Sequence, residues 1–148
     1  MDLILWRHAD AESGMPDDER RLTAKGLKQA ERMAEWLTER LPKNAVVLVS
    51  PARRAQETAR ALTKKFDTRS EIGTAAAPQA VLDAAGWPHG EGAVVVVGHQ
   101  PTLGQVVALA LTGKPGEWSI RKGAIWWLER RERDKETVVR AVISPDLL

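Results

Sequence analysis

The sequence predicts an α/β fold, a three-layer α/β/α sandwich around a mostly parallel sheet with an antiparallel edge. Three observations predict it. Apolar runs at residues 3–6, 45–49 and 93–97 have no polar alternation and read as strands buried on both faces. Segments with helical apolar spacing alternate with them, the pattern of parallel strands joined by crossover helices. Two further strand-like runs, 124–129 and 137–143, flank the charged turn 130–136, as expected of an antiparallel edge pair.

In chain order, the first strand stops at Arg7-His8. Residues 11–21, rich in Gly, Pro and charge, read as a loop over the carboxyl edge of the sheet, where loops commonly hold substrate. Thr23 caps a helix to about residue 41, with Leu27, Ala30, Met33, Ala34, Leu37 and Leu41 at apolar spacing and Pro42 as its stop. After the strand 45–49, Ser50-Pro51 reads as an N-cap followed by proline at the first helical position of a helix 51–66. Arg54 then falls in or near its first turn. Residues 67–92 give a short strand near Ile72 and a helix 78–85. The Val-rich strand precedes a helix opened by Pro101, carried by Leu103, Val106, Val107, Ala110 and Leu111, and ended by Gly113. Residues 118–120 read as one more short strand.

With 148 residues and 43% hydrophobic content, the chain fills one core and not two, so a single domain over residues 1–148 is expected. The net charge is +2, and cations and anions are interspersed along the helical segments. Solvated helix faces account for that pattern, and no nucleic-acid partner is expected. The absence of Cys excludes a disulfide framework, a thiol nucleophile and Cys-ligated zinc. No stretch approaches the roughly 20 apolar residues of a membrane span, and the N-terminus enters directly into a strand. A cytoplasmic monomer without membrane attachment is expected.

The chemistry concentrates at the strand ends. His8 lies just past a buried strand, where one ring nitrogen can face a ligand while a backbone carbonyl holds the other, and a neutral imidazole is a competent nucleophile at phosphorus. A second strand ends in Gly98-His99-Gln100-Pro101; if the strands are parallel, His99 reaches the same rim and can donate to a nonbridging oxygen. Arg7, beside His8, and either Arg53 or Arg54 add guanidinium groups that match phosphate oxygens. Spacing alone does not choose between Arg53 and Arg54. A metal site from His8, His89 and His99 is not expected, because no His-x-x-x-His pair exists.

Trp6-Arg7-His8-Ala9 resembles the Arg-His-Gly signature of the histidine phosphatase superfamily, and residues 50–59 resemble its second-arginine segment. Val97-Gly98-His99-Gln100-Pro101 resembles the segment with its second histidine, and residues 20–26 and Lys122-Gly123-Ala124 match further segments of the short SixA-type branch. The resemblance implies a phosphoglycerate mutase-like fold, His8 as the residue that becomes phosphorylated, and Arg7, Arg54 and His99 as the phosphate pocket. It selects Arg54 over Arg53. Asp17 and Arg20 match substrate-binding loop positions at the pocket mouth. It also implies turnover without metal or other cofactor.

Ala9 stands where the signature has glycine, a substitution that a positive φ would make costly. No counterpart of the carboxylic acid of larger members is evident, although Asp10, Glu12, Asp17 and Asp18 are near. An alkoxide needs such a proton, whereas phosphohistidine can expel a neutral imidazole, so phosphohistidine on a protein is the expected substrate. The alternatives are a small-molecule phosphomonoesterase of the same family and a phosphate-binding module without turnover.

Overall fold

The computed structural model describes residues 1–148. Six strands, β1 (Asp2–Arg7), β2 (Val46–Val49), β3 (Asp67–Thr68), β4 (Ala93–Gly98), β5 (Ile125–Arg130) and β6 (Thr137–Ile143), form one sheet in the order β3-β2-β4-β1-β5-β6. The four strands from β3 to β1 are parallel, whereas β5 runs antiparallel to both β1 and β6. Helices α1 (Ala24–Thr38), α2 (Arg53–Leu62), α3 (Pro78–Ala85) and α4 (Thr102–Thr112) cover the sheet.

The continuous apolar runs are explained by cover on both faces. Leu3, Leu5, Leu48, Val94 and Val96 pack with residues of α3 and α4, while Ile4, Trp6, Val47, Val49, Val95 and Val97 pack with residues of α1 and α2. Each such side chain stabilises the fold by about 1.5–3 kcal/mol on full burial. Residues of β1 therefore alternate between two cores, and the strand cannot slip by one position without exchanging them. That fixed register places Arg7 opposite Gly98, so the residue that follows β1, His8, emerges beside His99.

Several boundaries differ from the sequence expectation, each for a local reason. α1 is capped by the Thr23 hydroxyl, which accepts from Gly26 N, but it ends at Thr38, where Arg40 and Leu41 both turn back to Leu37 O. Leu27, expected on the apolar face of α1, is 48% exposed. α2 begins at Arg53 and not at Pro51, because Ser50 does not cap it: the Ser50 hydroxyl is used by Ala52 N and by His99. The same helix stops at Leu62, where Thr63 turns extended with φ −159°, so Phe66 lies outside it. Ile72 lies in a short 3₁₀ turn (Ser70–Ile72), the strand of that region being β3. Residues 118–120 form no strand, and the Ile120 carbonyl instead accepts from the Arg7 side chain. α3 spans 78–85, as the spacing predicts.

Candidate active site

Three parallel strands deliver their carboxyl ends to one rim. His8 N donates to Gly98 O at 3.0 Å and Ser50 N to Val97 O at 3.1 Å, which ties the ends of β1, β4 and β2 together. His8, Arg7, Arg54, His99, Arg20 and Asp17, the six residues singled out by sequence, all line one cavity of about 440 Å³. Ala11, Thr74, Gln100 and Lys122 complete its wall. Arg53 lies outside it, exposed and paired with Glu57 at 3.4 Å. His89 is exposed in the loop after α3.

The His8 ring is 7% exposed, with Nδ1 2.8 Å from the Ala9 carbonyl oxygen. A carbonyl only accepts, so Nδ1 carries the proton and the Nε2 lone pair is free. Burial pushes the imidazole down to about 4; the Ala9 carbonyl opposes this, and the cations Arg54, Arg7 and Arg20 add to the fall. At neutral pH the ring is therefore uncharged and nucleophilic. His99 lies with its ring centroid 5.3 Å from that of His8, and burial, then His8 and Arg54, push it down to about 3. Its Nε2 is 2.7 Å from Ser50 Oγ. Because Ser50 Oγ accepts from Ala52 N at 3.2 Å, its hydroxyl proton is available to His99 Nε2. The ring proton of His99 then resides on Nδ1, a buried donor without a partner.

The guanidiniums are held but unsaturated. Arg7 Nη1 donates to Ile120 O at 2.8 Å, and Arg54 donates through Nη1 to Asp17 O at 2.9 Å and through Nη2 to Asp17 Oδ2 at 3.1 Å. Nε of both arginines is buried with no partner. Burial and the neighbouring Arg54 charge lower the Arg7 value. Asp17 also accepts from Arg20 Nε at 3.1 Å. Desolvation opposes ionisation of Asp17, but the hydrogen bonds and charges of Arg54 and Arg20 outweigh it and hold the carboxyl below its ordinary range. Asp10 is likewise lowered, by the Thr23 hydroxyl against partial desolvation and with help from Lys122 at 3.1 Å.

Residues 3–76 match the Histidine phosphatase superfamily (branch 1), and a phosphohistidine phosphatase SixA homolog of Haemophilus influenzae is 33% identical over 124 residues, 73% of this chain and 76% of that protein. The chain belongs to the histidine phosphatase superfamily. Among solved structures, the protein histidine phosphatase SixA complexed with tungstate superposes with a TM-score of 0.85 at 25% identity, covering 99% of each chain. A phosphoserine phosphatase of Entamoeba histolytica shares the fold with a TM-score of 0.75 at 17% identity, over 99% of this chain and 98% of that one.

In this superfamily member the alanine after the histidine is accommodated without strain. Ala9 is not among the residues with positive φ, and its methyl is fully buried against Leu22 and Ala30. Sequence reasoning missed the hydroxyls that position the site. Thr58 Oγ1 accepts from Ala9 N at 3.0 Å and donates to Arg54 O at 2.7 Å, joining the strand that carries His8 to the helix that carries Arg54. The signal available was its place four residues after Arg54, on the same helix face. Gly26 ends the matched segment 20–26, but its packing role shows only in the structure: a Cβ there would lie 2.0 Å from Asp10 O, so only glycine lets α1 approach the segment after His8.

Proposed function

We propose that the protein is a phosphohistidine phosphatase acting on phosphorylated protein through a phosphoenzyme on His8. The observation that carries this reading is His8 itself: a neutral ring with its proton fixed on Nδ1 and a free Nε2 lone pair, inside a cavity lined by two guanidiniums with unused donors. Arg7, Arg54 and His99 Nδ1 bind the nonbridging oxygens and stabilise the charge spread over them in transfer, a role that needs no metal ion.

His8 Nε2 attacks phosphorus as the substrate P–N bond breaks. The departing imidazole takes the electron pair and leaves neutral when its other nitrogen carries a proton. Water then attacks phospho-His8, its P–N bond breaks with the electron pair returning to Nε2, and inorganic phosphate departs. The Nδ1 hydrogen bond to Ala9 O serves both steps: it exposes Nε2 for attack, and it keeps a proton on the ring so that phospho-His8 also expels a neutral imidazole.

The lack of an acid for an alkoxide supports a phosphoramidate substrate. Asp17 and Asp10 are held ionised by Arg54, Arg20, Thr23 and Lys122, and Glu12 is paired with Arg21 at 2.9 Å. The test is turnover of a phosphohistidine peptide, an aryl phosphate and an alkyl phosphate by wild type and by His8→Ala, with and without chelator. The expected order is phosphohistidine, then aryl, then alkyl, unaffected by chelator and lost in His8→Ala. Alkyl phosphate turned over as fast as phosphohistidine contradicts the reading.

A further inference from the structure

Charges of both signs lie on the exposed surface of α1, where the cations and the glutamates border different clefts. Glu31, Glu35 and Glu39 line a groove beside Ala61 of α2, whereas Lys25, Lys28 and Arg32 lie on another flank. These three cations are exposed, and none takes part in any ion pair of the molecule. Two of them also sit at the unfavourable end of the helix. Lys25 and Lys28 lie in or next to the first turn of α1, where the helix dipole favours anions; the carboxylate at that end, Asp10, is bonded to the Thr23 cap and paired with Lys122 at 3.1 Å.

The flank is one wall of a cleft of about 460 Å³ whose other side is formed by Pro145 and Asp146. Asp146 is engaged by Arg121 at 3.4 Å, so it leaves the three cations unpaired. This cleft adjoins the phosphate cavity through consecutive residues. Lys122 lines the cavity, and the next residue, Gly123, packs against Gln29 and Pro145 of the cleft, where a Cβ would meet Pro145 at 2.9 Å and Gln29 at 3.5 Å. Gly123 N in turn lies within hydrogen-bond distance of Arg7 O and His8 O, at 3.1 and 3.0 Å. Gln29 also reaches the catalytic strand, accepting from Asp10 N at 2.9 Å. The flank is therefore one of the surfaces bordering the cavity that opens on His8.

We propose that the Lys25, Lys28 and Arg32 flank of α1 docks an acidic face of the protein substrate, next to its phosphohistidine. The proposal rests on the phosphohistidine phosphatase reading above. An acidic protein face fits better than a nucleic-acid backbone for two reasons. The stripe is short, about 10 Å along the helix from residue 25 to residue 32. Lys122, which lines the cavity next to Gly123, offers no continuation, since it is already paired with Asp10. Complementary charge outside the reaction centre raises encounter rate and selects among partners without altering the chemical step.

The probes are three phosphohistidine peptides of one length, flanked by glutamates, serines or lysines, together with free phosphoramidate as a substrate too small to reach the flank. Wild type is compared with the charge-reversed pair Lys28→Glu/Arg32→Glu and with the milder Lys28→Gln/Arg32→Gln. In wild type the glutamate-flanked peptide has a KM roughly three- to tenfold below that of the serine-flanked one at similar kcat, a preference that shrinks with salt. The glutamine pair loses the preference and the glutamate pair inverts it toward lysine flanks, while phosphoramidate turnover is the same in all three proteins. Fluorescence anisotropy of the labelled peptides reads docking without turnover. A preference seen in binding with no turnover of any phosphohistidine substrate defeats the phosphatase reading and leaves the docking surface standing. A wild type indifferent to the flanks, or a preference that survives in both variants, overturns the docking surface.

Discussion

Two regions of the molecule each hold an arginine whose Nε is buried without a partner, and only one of them has the makings of a reaction centre. In the turn joining β5 to β6, Arg131 donates to Asp134 and Glu136, both at 2.9 Å, so that two carboxylates take up its charge. At the rim of β1 and β4, Arg54 shares a cavity with Arg7, His8 and His99, and its single acidic partner, Asp17, comes from a largely exposed 3₁₀ turn. An unsatisfied donor on a guanidinium therefore does not mark a site. What marks it is convergence of several such donors on a neutral ring with a free lone pair, around an anion-sized space that one exposed carboxylate partly fills.

The largest effect should come from breaking that convergence. Arg54→Ala removes charge and donors from the position where the transferring group carries negative charge, and kcat/KM on a phosphohistidine peptide should fall by roughly 10³-fold. Arg54→Lys should recover little of it, because an ammonium cannot reproduce the fork. A loss of less than tenfold in steady-state assays of Arg54→Ala would put Arg54 outside the phosphate pocket.

The histidines sharpen the comparison through pH. Both folded values, about 4 for His8 and about 3 for His99, lie below the ordinary 6.5, so the unfolded chain binds the protons first. Their contribution to stability is whole above about pH 6.5 and is lost as pH falls toward 4 and then 3. Thermal unfolding midpoints should decline across that window, and less steeply in His99→Gln. Histidine ring resonances titrating near 6.5 for both residues in the free protein would show that burial does not hold them neutral.

Asp17 supplies a smaller effect with the opposite sign. Its carboxylate occupies Arg54 where an oxyanion is expected, so Asp17→Asn should lower the inhibition constant of inorganic phosphate, by roughly threefold given the exposure of the pair. Weaker phosphate inhibition in that variant would make Asp17 a contributor to anion binding and not its competitor. The smallest effect belongs to the other region. Arg131→Ala should leave turnover within about twofold of wild type, as for a half-buried pair at the end of the sheet away from the rim. A larger loss would mean that the turn between β5 and β6 reaches the reaction.

The rim that carries both histidines was legible in the sequence wherever one strand carried the information. The apolar run ending at Arg7-His8 announces a buried strand and its carboxyl end together, and the run ending at Gly98-His99 does the same; parallel pairing then brings both histidines to one edge. What the sequence hid depends on partners far apart in the chain. Ser50 read as a helix cap because Ser-Pro favours one, yet its hydroxyl is taken by His99, 49 residues later. Thr58 reads as any helix residue until the structure shows it bonded to Ala9 N, also 49 residues away. Asp17 was placed at the pocket mouth by the family pattern, but that it fills the fork of Arg54 follows only from the path of the loop. The cleft that Lys25, Lys28 and Arg32 share with Pro145 and Asp146 was hidden as well, since its two walls lie more than a hundred residues apart in the chain.

The measurement that bears most directly on His8 is capture of the reaction midway. Wild-type protein mixed with a phosphohistidine peptide, quenched in alkali within milliseconds and mapped by mass spectrometry should carry one phosphoryl group on His8, attached through Nε2. A phosphoryl group on any other residue, or undiminished turnover in His8→Ala with none trapped, would contradict the account.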